Sequence, residues 1–366
     1  MNMANEKIEQ YVMDRAHAIG FDLAGICSID SGERTPFLDQ WLARGFHGNM
    51  KYMENPKRLE PESVLPGIRT MIVVGLNYRR EEERDQEAMI SKYAWGADYH
   101  RVMKPMLEEL AEAVRLRVPG CAALAYVDTG PLVEKHWAEK AGLGWIGKHT
   151  NVLNRELSSW FFIGSVLTDV PMASGAPAKD YCGTCVRCIE ACPTRAIVAP
   201  YVLDARLCIS YLTIELRESI PRELRSMIGH RIFGCDDCQD VCPWNRFARS
   251  GDPRFNPRPE VFSTRLLDYL SLTPDKFRLR FAGTNVLRAK YRGFLRNCLV
   301  AAGNSRAAEL RPEIERHLQS EDEMIREHAV WALAQFKDDG ARRSLAQLQR
   351  VEKSPSVLAE INHWMS

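Results

Sequence analysis

Nothing in this chain stays apolar for long. The longest such run, Trp160 to Leu167, is far short of the roughly 20 residues that a helix needs to cross a bilayer. Met1 to Ala16 is charged throughout and lacks the apolar segment that marks a secretory signal. Net charge is only +1, so bulk electrostatics favour no particular partner. Outside residues 182–242 cysteine is scarce, with only Cys27, Cys121 and Cys298. These absences argue against a membrane protein and against a small secreted scaffold stapled by disulfides. The expectation is a reduced, cytoplasmic monomer. With 366 residues, 45% hydrophobic and 27% charged, it has apolar material for two or three ordinary cores.

The other eight cysteines are concentrated in one stretch. Cys182, Cys185, Cys188 and Cys192, followed by Pro193, read C-x2-C-x2-C-x3-C-P, the run that holds a [4Fe-4S] cube in bacterial ferredoxins. Cys208 stands alone, and Cys235, Cys238 and Cys242, followed by Pro243, repeat part of the pattern. In such runs three closely spaced thiolates wrap one cube, while the cysteine before proline ligates the other. That rule assigns Cys182, Cys185, Cys188 and Cys242 to one cluster, and Cys192, Cys208, Cys235 and Cys238 to a second. Structural zinc uses paired knuckles around a tetrahedral ion, and the triple C-x2-C-x2-C suits it poorly.

Ahead of the cysteines the pattern alternates between helix and strand. Ile8, Val12, Ala16 and Ile19 recur at helical spacing up to Gly20. Phe21 to Ile29 reads as a strand, Pro36 to Arg44 as a short helix, and His47 to Pro66 as a proline-rich loop carrying Arg58. Thr70 to Tyr78 is the kind of continuous apolar strand that is covered on both faces. A helix is expected from Val102 to Val118, a strand from Cys121 to Val127, and a helix ending at Ala141. Two further strands are expected, over Thr150 to Asn154 and Trp160 to Asp169. Residues 265–366 read as wholly helical, with Ser320 and Glu323 as a capping box ahead of a helix Met324 to Phe336. Arg296, Val300 and Ala302 recur as Arg326, Val330 and Ala332, a weak echo that suggests stacked helix pairs. The resulting division is an α/β domain over 1–175, a ferredoxin-like double-cluster module over 176–264, and a HEAT-like all-α domain over 265–366.

Several short motifs compete for function. Asp128 ends the apolar strand Ala122 to Val127, where burial would raise its pKa and make it a proton donor; the plainer alternative is a turn aspartate bonding its own backbone. Asp30-Ser31-Gly32 and Asp128-Thr129-Gly130 resemble aspartic-protease triplets, but the helical context excludes that fold. Gly142-x-Gly144-x-x-Gly147 copies a dinucleotide fingerprint in the wrong setting, after a helix and before a strand. These glycines instead suggest close backbone approach to something flat or bulky. Asp98-x-His100 begins like a cobalamin-histidine loop, but Met103 stands where glycine is needed, leaving His100 as a structural residue. From Lys276 to Val300 there are seven basic residues and no acidic one. Arg278, Arg280, Arg288, Lys290, Arg292 and Arg296, interleaved with Phe277, Phe281, Tyr291 and Phe294, suit phosphate contacts and base stacking on RNA.

Taken together, the segments AWGADYH (Ala94 to His100), VDTGPLVEKHWAEKAGLGWIGKHTNVLN (Val127 to Asn154), YCGTCVRCIEACPTRAI (Tyr181 to Ile197), CISYLT (Cys208 to Thr213) and GCDDCQDVCPWN (Gly234 to Asn245) resemble the epoxyqueuosine reductases. The resemblance runs over nearly the whole chain. It implies a cobalamin enzyme with two [4Fe-4S] clusters and a tRNA-binding helical tail, in which the corrinoid has no protein histidine on cobalt. It places Arg58, Ser91, Asp128, His149, Val152 and Ile163 around the cobalamin and makes Asp128 the proton donor. A cysteine is expected in relatives where this chain has Ser91, so a role resting on a thiolate there does not transfer. The implied reaction turns epoxyqueuosine in tRNA into queuosine, with electrons from an unidentified donor. Two alternatives differ from it: a reductive-dehalogenase-type corrinoid reductase acting on a small molecule, which would commonly carry an export signal, and a ferredoxin-like electron carrier, which would need no acid.

Overall fold

The computed structural model describes residues 7–30, 37–58, 60–81, 87–262 and 265–365. Pro36, Ser31 and Gly32 lie outside them, as do the first residues of the chain. The continuous apolar run does become the centre of a sheet. Strand Thr70–Asn77 is buried at all eight positions, flanked on one side by Leu23–Ser28 and on the other by Phe161–Thr168, with Ala123–Tyr126 at the outer edge. All three pairings are antiparallel.

Alternation along the central strand supplies two cores. Ile72, Val74 and Leu76 face Val12, Ala16, Met103, Leu107 and Leu110 on one side, from the helices Ile8–Ile19 and Tyr99–Arg117. Met71 and Val73 face Trp137, Ala138 and Leu143 on the other, because successive strand side chains point to opposite faces. A continuous apolar strand in an antiparallel sheet is explained by these two helical covers. The first helix ends at Gly20 with φ +106°, as the sequence suggests. The glycines of Gly142-x-Gly144-x-x-Gly147 make room for the chain itself: a Cβ at Gly144 would lie 2.0 Å from the Leu153 carbonyl oxygen, and one at Gly142 2.5 Å from that of Ala176. The close approach expected there is to backbone, not to a ligand.

Beyond the sheet, the cysteine stretch folds into two short helices, Arg187–Glu190 and Asp237–Asp240, and is fastened to the first domain. Strand Arg231–Phe233 pairs in parallel with Met89–Ile90. Lys148 donates to the carbonyls of Gly183 and Cys185 at 2.6 and 2.9 Å, and Asn245 accepts from Ser158 and Trp160.

The C-terminal part is helical. Helix Lys290–Ser305 is buried at every position from Gly293 to Gly303, because the helices Ile209–Ile214 and Arg222–Ile228 from the cysteine stretch and Glu323–Ala334 from the tail all pack on it. One apolar core therefore joins Ala88, Ile90, Ala94 and Trp95 to residues from Ala205 to Ile361, across residue 265. The echoing residues Val300, Val330, Ala302 and Ala332 fall on the neighbouring helices Lys290–Ser305 and Glu323–Ala334 and are buried. The cap of the second helix is not Ser320. Asp322 accepts from the backbone N–H of Met324 and Ile325, while Ser320 accepts from Asp322 N–H. The carboxylate lies one residue before the helix, where it reaches the free N–H groups directly.

Candidate active site

Strand Ala123–Tyr126 ends in Val127, which is buried, and the chain then turns sharply. Thr129 N–H bonds to the Val127 carbonyl, and Asp128 takes φ +54°. Residues other than glycine seldom adopt this conformation, and it is characteristically retained where function needs it. The turn sets the Asp128 side chain, 60% exposed, on the wall of an open cavity of about 290 Å³.

Aromatic rings form much of that wall. Tyr99 stacks on Phe162 at 4.3 Å, and Tyr78 lies 4.4 Å from Phe162. Val152, Ile163, Asn151, Glu134 and Lys135 line the cavity too, and so does Gln239, the neighbour of Cys238. Gln239 is held by Ser159 at 3.0 Å, so the cavity floor touches the cysteine module.

The groups around Asp128 come from the start of helix Tyr99–Arg117 and from helix Glu134–Lys140. Tyr99 donates to Asp128 Oδ2 at 2.8 Å, and His100 Nε2 lies 3.4 Å from the same oxygen. His100 Nδ1 is 2.8 Å from Asp98 Oδ1, and Asp98 caps helix Tyr99–Arg117 by accepting from His100 N–H. Glu134 accepts from Asp128 N–H at 2.7 Å. The surrounding protein favours the neutral acid at Asp128, but the His100 ring 3.4 Å away and the Tyr99 hydrogen bond outweigh it and hold the carboxyl below its ordinary pKa. That corrects the expectation that burial alone raises it. Glu134 is the carboxyl that moves up, to about 8, through desolvation and the Asp128 charge beside it. His100 is disfavoured as a cation by burial, yet the Asp128 carboxylate near it and its bond to Asp98 prevail and raise it to about 9. His100 is therefore part of this site, not merely structural.

The eight thiols lie near one another, although among the described residues no three donors are already placed to hold a metal ion. Burial pushes Cys188 up to about 11, with Cys182, Cys185 and Cys242 close enough to add to the effect, and these four line one internal space of about 50 Å³. Burial likewise raises Cys238, helped by Cys208 and Cys192, and Cys235 is raised by burial with Cys238 among its neighbours. No disulfide joins any of them. Gathering partly buried sulfurs that must be anionic to ligate is unfavourable without cationic metal between them, so the donor set suits iron. N–H groups already point at individual sulfurs, as from Ala196 to Cys192 at 3.2 Å.

The remaining expected site residues are scattered. Val152 and Ile163 are on the cavity wall. Arg58 donates to the Leu132 carbonyl at 2.8 Å and its charge acts on Glu134. Ser91 is buried and donates to Asp236, inside the Cys235 to Cys238 loop. His149 lines the space of the Cys182 group.

The basic run is less one-sided in space than in sequence. Arg288 is paired with Glu215 at 2.9 and 3.0 Å, Arg292 with Asp322, and Arg278 with Asp275. Lys290 is exposed, and Arg280 lies over the Tyr269 ring. Arg296 cannot meet RNA: it is 0% exposed and bonds the carbonyls of Leu212, Leu216 and Glu218. Nor do the interleaved rings offer stacking faces, since Phe277, Phe281 and Phe294 pack on one another and on Tyr269 inside the core.

A split set of eight thiols beside an aromatic cavity with an acid at its edge defines an iron–sulfur oxidoreductase. Residues 181–245 match the family model described as 4Fe-4S double cluster binding domain, and residues 58–129 match Epoxyqueuosine reductase QueG, DUF1730. The chain is 40% identical to the epoxyqueuosine reductase of Xanthomonas campestris pv. campestris over 87% of its own length and 94% of the relative's. Against that of Escherichia coli K12 the figures are 38%, 92% and 90%. A crystal structure of epoxyqueuosine reductase with an epoxyqueuosine-modified tRNA-Tyr stem loop superposes with a TM-score of 0.88 at 27% identity, covering 97% of each chain. Another, from Bacillus subtilis, with a catalytic aspartate loop swung out of the active site, gives 0.88 at 26%, again covering 97% of each. The chain belongs to the epoxyqueuosine reductase family.

Proposed function

We propose that this chain is a cytoplasmic, monomeric reductase that converts epoxyqueuosine to queuosine at the wobble position of tRNA. Its α/β domain (1–175) would hold cobalamin, its middle module (176–264) two [4Fe-4S] clusters, and its HEAT-like tail (265–366) the RNA. The observation that carries this reading is one cavity bounded both by Asp128 and by Gln239, the residue next to Cys238.

The residues suit each group. Cys182, Cys185, Cys188 and Cys242 would ligate one cube, and Cys192, Cys208, Cys235 and Cys238 the other, nearer the cavity. A flat macrocycle with an apolar face and an amide-bearing rim suits the aromatic wall, Val152, Ile163, and the amides of Asn151 and Gln239. Both nearby histidines have other neighbours, His100 between two carboxylates and His149 at the thiol space, which agrees with a corrinoid lacking a histidine on cobalt. When bound, the cubes pass electrons singly and the corrinoid supplies the strongly reducing centre.

The chain's own part is placement and proton supply. Asp128 gives the departing epoxide oxygen a proton at the cavity edge, and Tyr99 orients that carboxyl. Among the cations at the outer surface, exposed Lys290, Arg278, Arg288 and Arg292 would meet phosphates. The catalytic aspartate loop of the Bacillus subtilis relative supports this role for the Asp128 turn. The test is anaerobic turnover of an epoxyqueuosine stem loop with cobalamin and a strong reductant, following loss of one oxygen atom by mass. Asp128→Asn should lower kcat by about 10²- to 10⁴-fold while iron, sulfide and stem-loop binding stay unchanged. Zinc in place of iron and sulfide, or full turnover by Asp128→Asn, would refute the scheme.

A further inference from the structure

Removing the epoxide oxygen breaks two carbon–oxygen bonds, forms one carbon–carbon π bond and releases water. It consumes two electrons, supplied through the clusters, and two protons, and both protons end on the same oxygen. Asp128 carries one proton at a time. It must be recharged while that oxygen is still in the cavity, or a second acid must reach the same point.

The surroundings of Asp128 favour recharging. Its Oδ2 atom has two protic neighbours, Tyr99 Oη at 2.8 Å and His100 Nε2 at 3.4 Å. Burial and the Asp128 charge drive the Tyr99 phenol far above its usual pKa, so it orients the carboxylate without giving up its proton. The His100 ring is fixed from two sides. It stacks on Tyr99 at 4.1 Å, its Nδ1 is 2.8 Å from Asp98, and Asp98 is itself pinned as the helix cap. Glu134 meets the Asp128 backbone N–H, so it holds the turn and does not address the Asp128 carboxyl oxygens.

We propose that His100 feeds both protons through Asp128: the chain Asp98–His100–Asp128 loads the ionised Asp128 carboxyl before each protonation of the one oxygen, and the partly exposed His100 ring takes up a solvent proton between the two. His100 acts through Asp128 and is a positioning residue that also holds a proton. Its imidazole, raised to about 9 by its carboxylate partners against the effect of burial, is charged at neutral pH. The titratable and charged groups around the relay are Asp98, Tyr99, Arg101 and Tyr93 on its own segment, Asp128, Glu134 and Lys135 across from it, and Arg58, Tyr52 and Arg288 beyond those.

This inference rests on the reductase reading, and the experiment separates the two. Wild-type holoenzyme is first assayed with the epoxyqueuosine stem loop; no queuosine at all refutes the reaction itself, and with it the relay. With turnover established, His100→Gln should lower kcat about 10²-fold, leave KM for the stem loop within about twofold, and abolish the fall in wild-type rate at alkaline pH. Imidazole added to His100→Ala should restore at least about tenfold of the lost rate. Asp98→Asn, which preserves the helix cap, should move the alkaline fall to lower pH by about one unit, because it removes the charge that keeps His100 protonated. Wild-type kcat in His100→Gln would overturn the relay. So would lowered activity that imidazole does not rescue, or an alkaline limb that Asp98→Asn does not move.

Discussion

The thiol module and the acid corner are both crowded with ionisable groups, yet they balance charge in opposite ways. Around Asp128 the counter-groups are built in: Tyr99 bonds its carboxylate, His100 lies 3.4 Å from the same oxygen, and Asp98 bonds His100 from behind. Burial loses to those groups, and Asp128 stays ionised. In the thiol groups the neighbours are mostly other thiols, so each adds to the burial that keeps the next protonated. Arg231 beside Cys235 and Lys135 toward Cys208 act in the other direction without reversing it. One region is complete as folded, whereas the other needs cations from outside the chain.

The largest expected effect follows from that contrast. Removing iron by oxidation and chelation should loosen residues 181–245 and leave the central sheet intact, because the binding free energy of a structural metal is largely folding free energy. Amide exchange in that module should accelerate about 10³-fold, or roughly 4 kcal/mol, while strand Thr70–Asn77 keeps its protection. Equal acceleration in both would show that the module is not a separate cooperative unit.

The same distinction applies within the basic run. Arg296→Met strands two buried carbonyls and one part-buried one and should cost about 2–5 kcal/mol, with no direct effect on RNA affinity. Lys290→Ala is expected to leave stability within about 0.5 kcal/mol and to lower the salt dependence of stem-loop binding by roughly 0.7–0.9 in slope. Denaturant titrations and salt-series binding on both variants read these outcomes. A stability loss at Lys290 with none at Arg296 would contradict the burial pattern.

What the sequence disclosed follows the same line. Cysteine spacing is a local property, and the Cys182 to Cys192 run can be read without knowing what lies across from it. Thr70–Asn77 was equally plain as a strand buried on both faces, although periodicity could not show that its partners run antiparallel. The acid corner depends on contacts between distant positions: His100 and Asp128 meet only because a helix start and a strand end share one cavity. Asp98 followed by a helical pattern was a usable clue, since an aspartate cap fixes the orientation of the first turn. The basic run misled for a similar reason, because its acidic partners Glu215 and Asp322 lie far outside the window. The four-residue spacing of Phe277 and Phe281, a helix face, was the signal that those rings belong to a core.

The smallest effect is also a direct test of the acid corner as a self-contained unit, through the pH dependence of stability. His100 and Glu134 are both raised, to about 9 and about 8, so the folded corner binds more protons than the unfolded chain wherever pH lies between their unfolded and folded values. Stability must fall with rising pH over that span. For His100 the contribution is present in full below about 6.5 and is lost as pH climbs through 9. Asp98 and Asp128 are lowered, so their contribution is present above about 3.9 and is lost as pH drops further. The maximum for this corner therefore falls between those limits, on the acid side of neutrality. His100→Gln should remove about 1–2 kcal/mol of the decline between pH 6.5 and 9, allowing for solvent screening of a partly exposed ring. Glu134→Gln should remove the part that begins near pH 4.3 and leave the His100 limb in place. Anaerobic denaturant titrations of the iron-loaded protein across this range read both limbs, and a decline that survives in the double variant would mean that the corner is not what sets it.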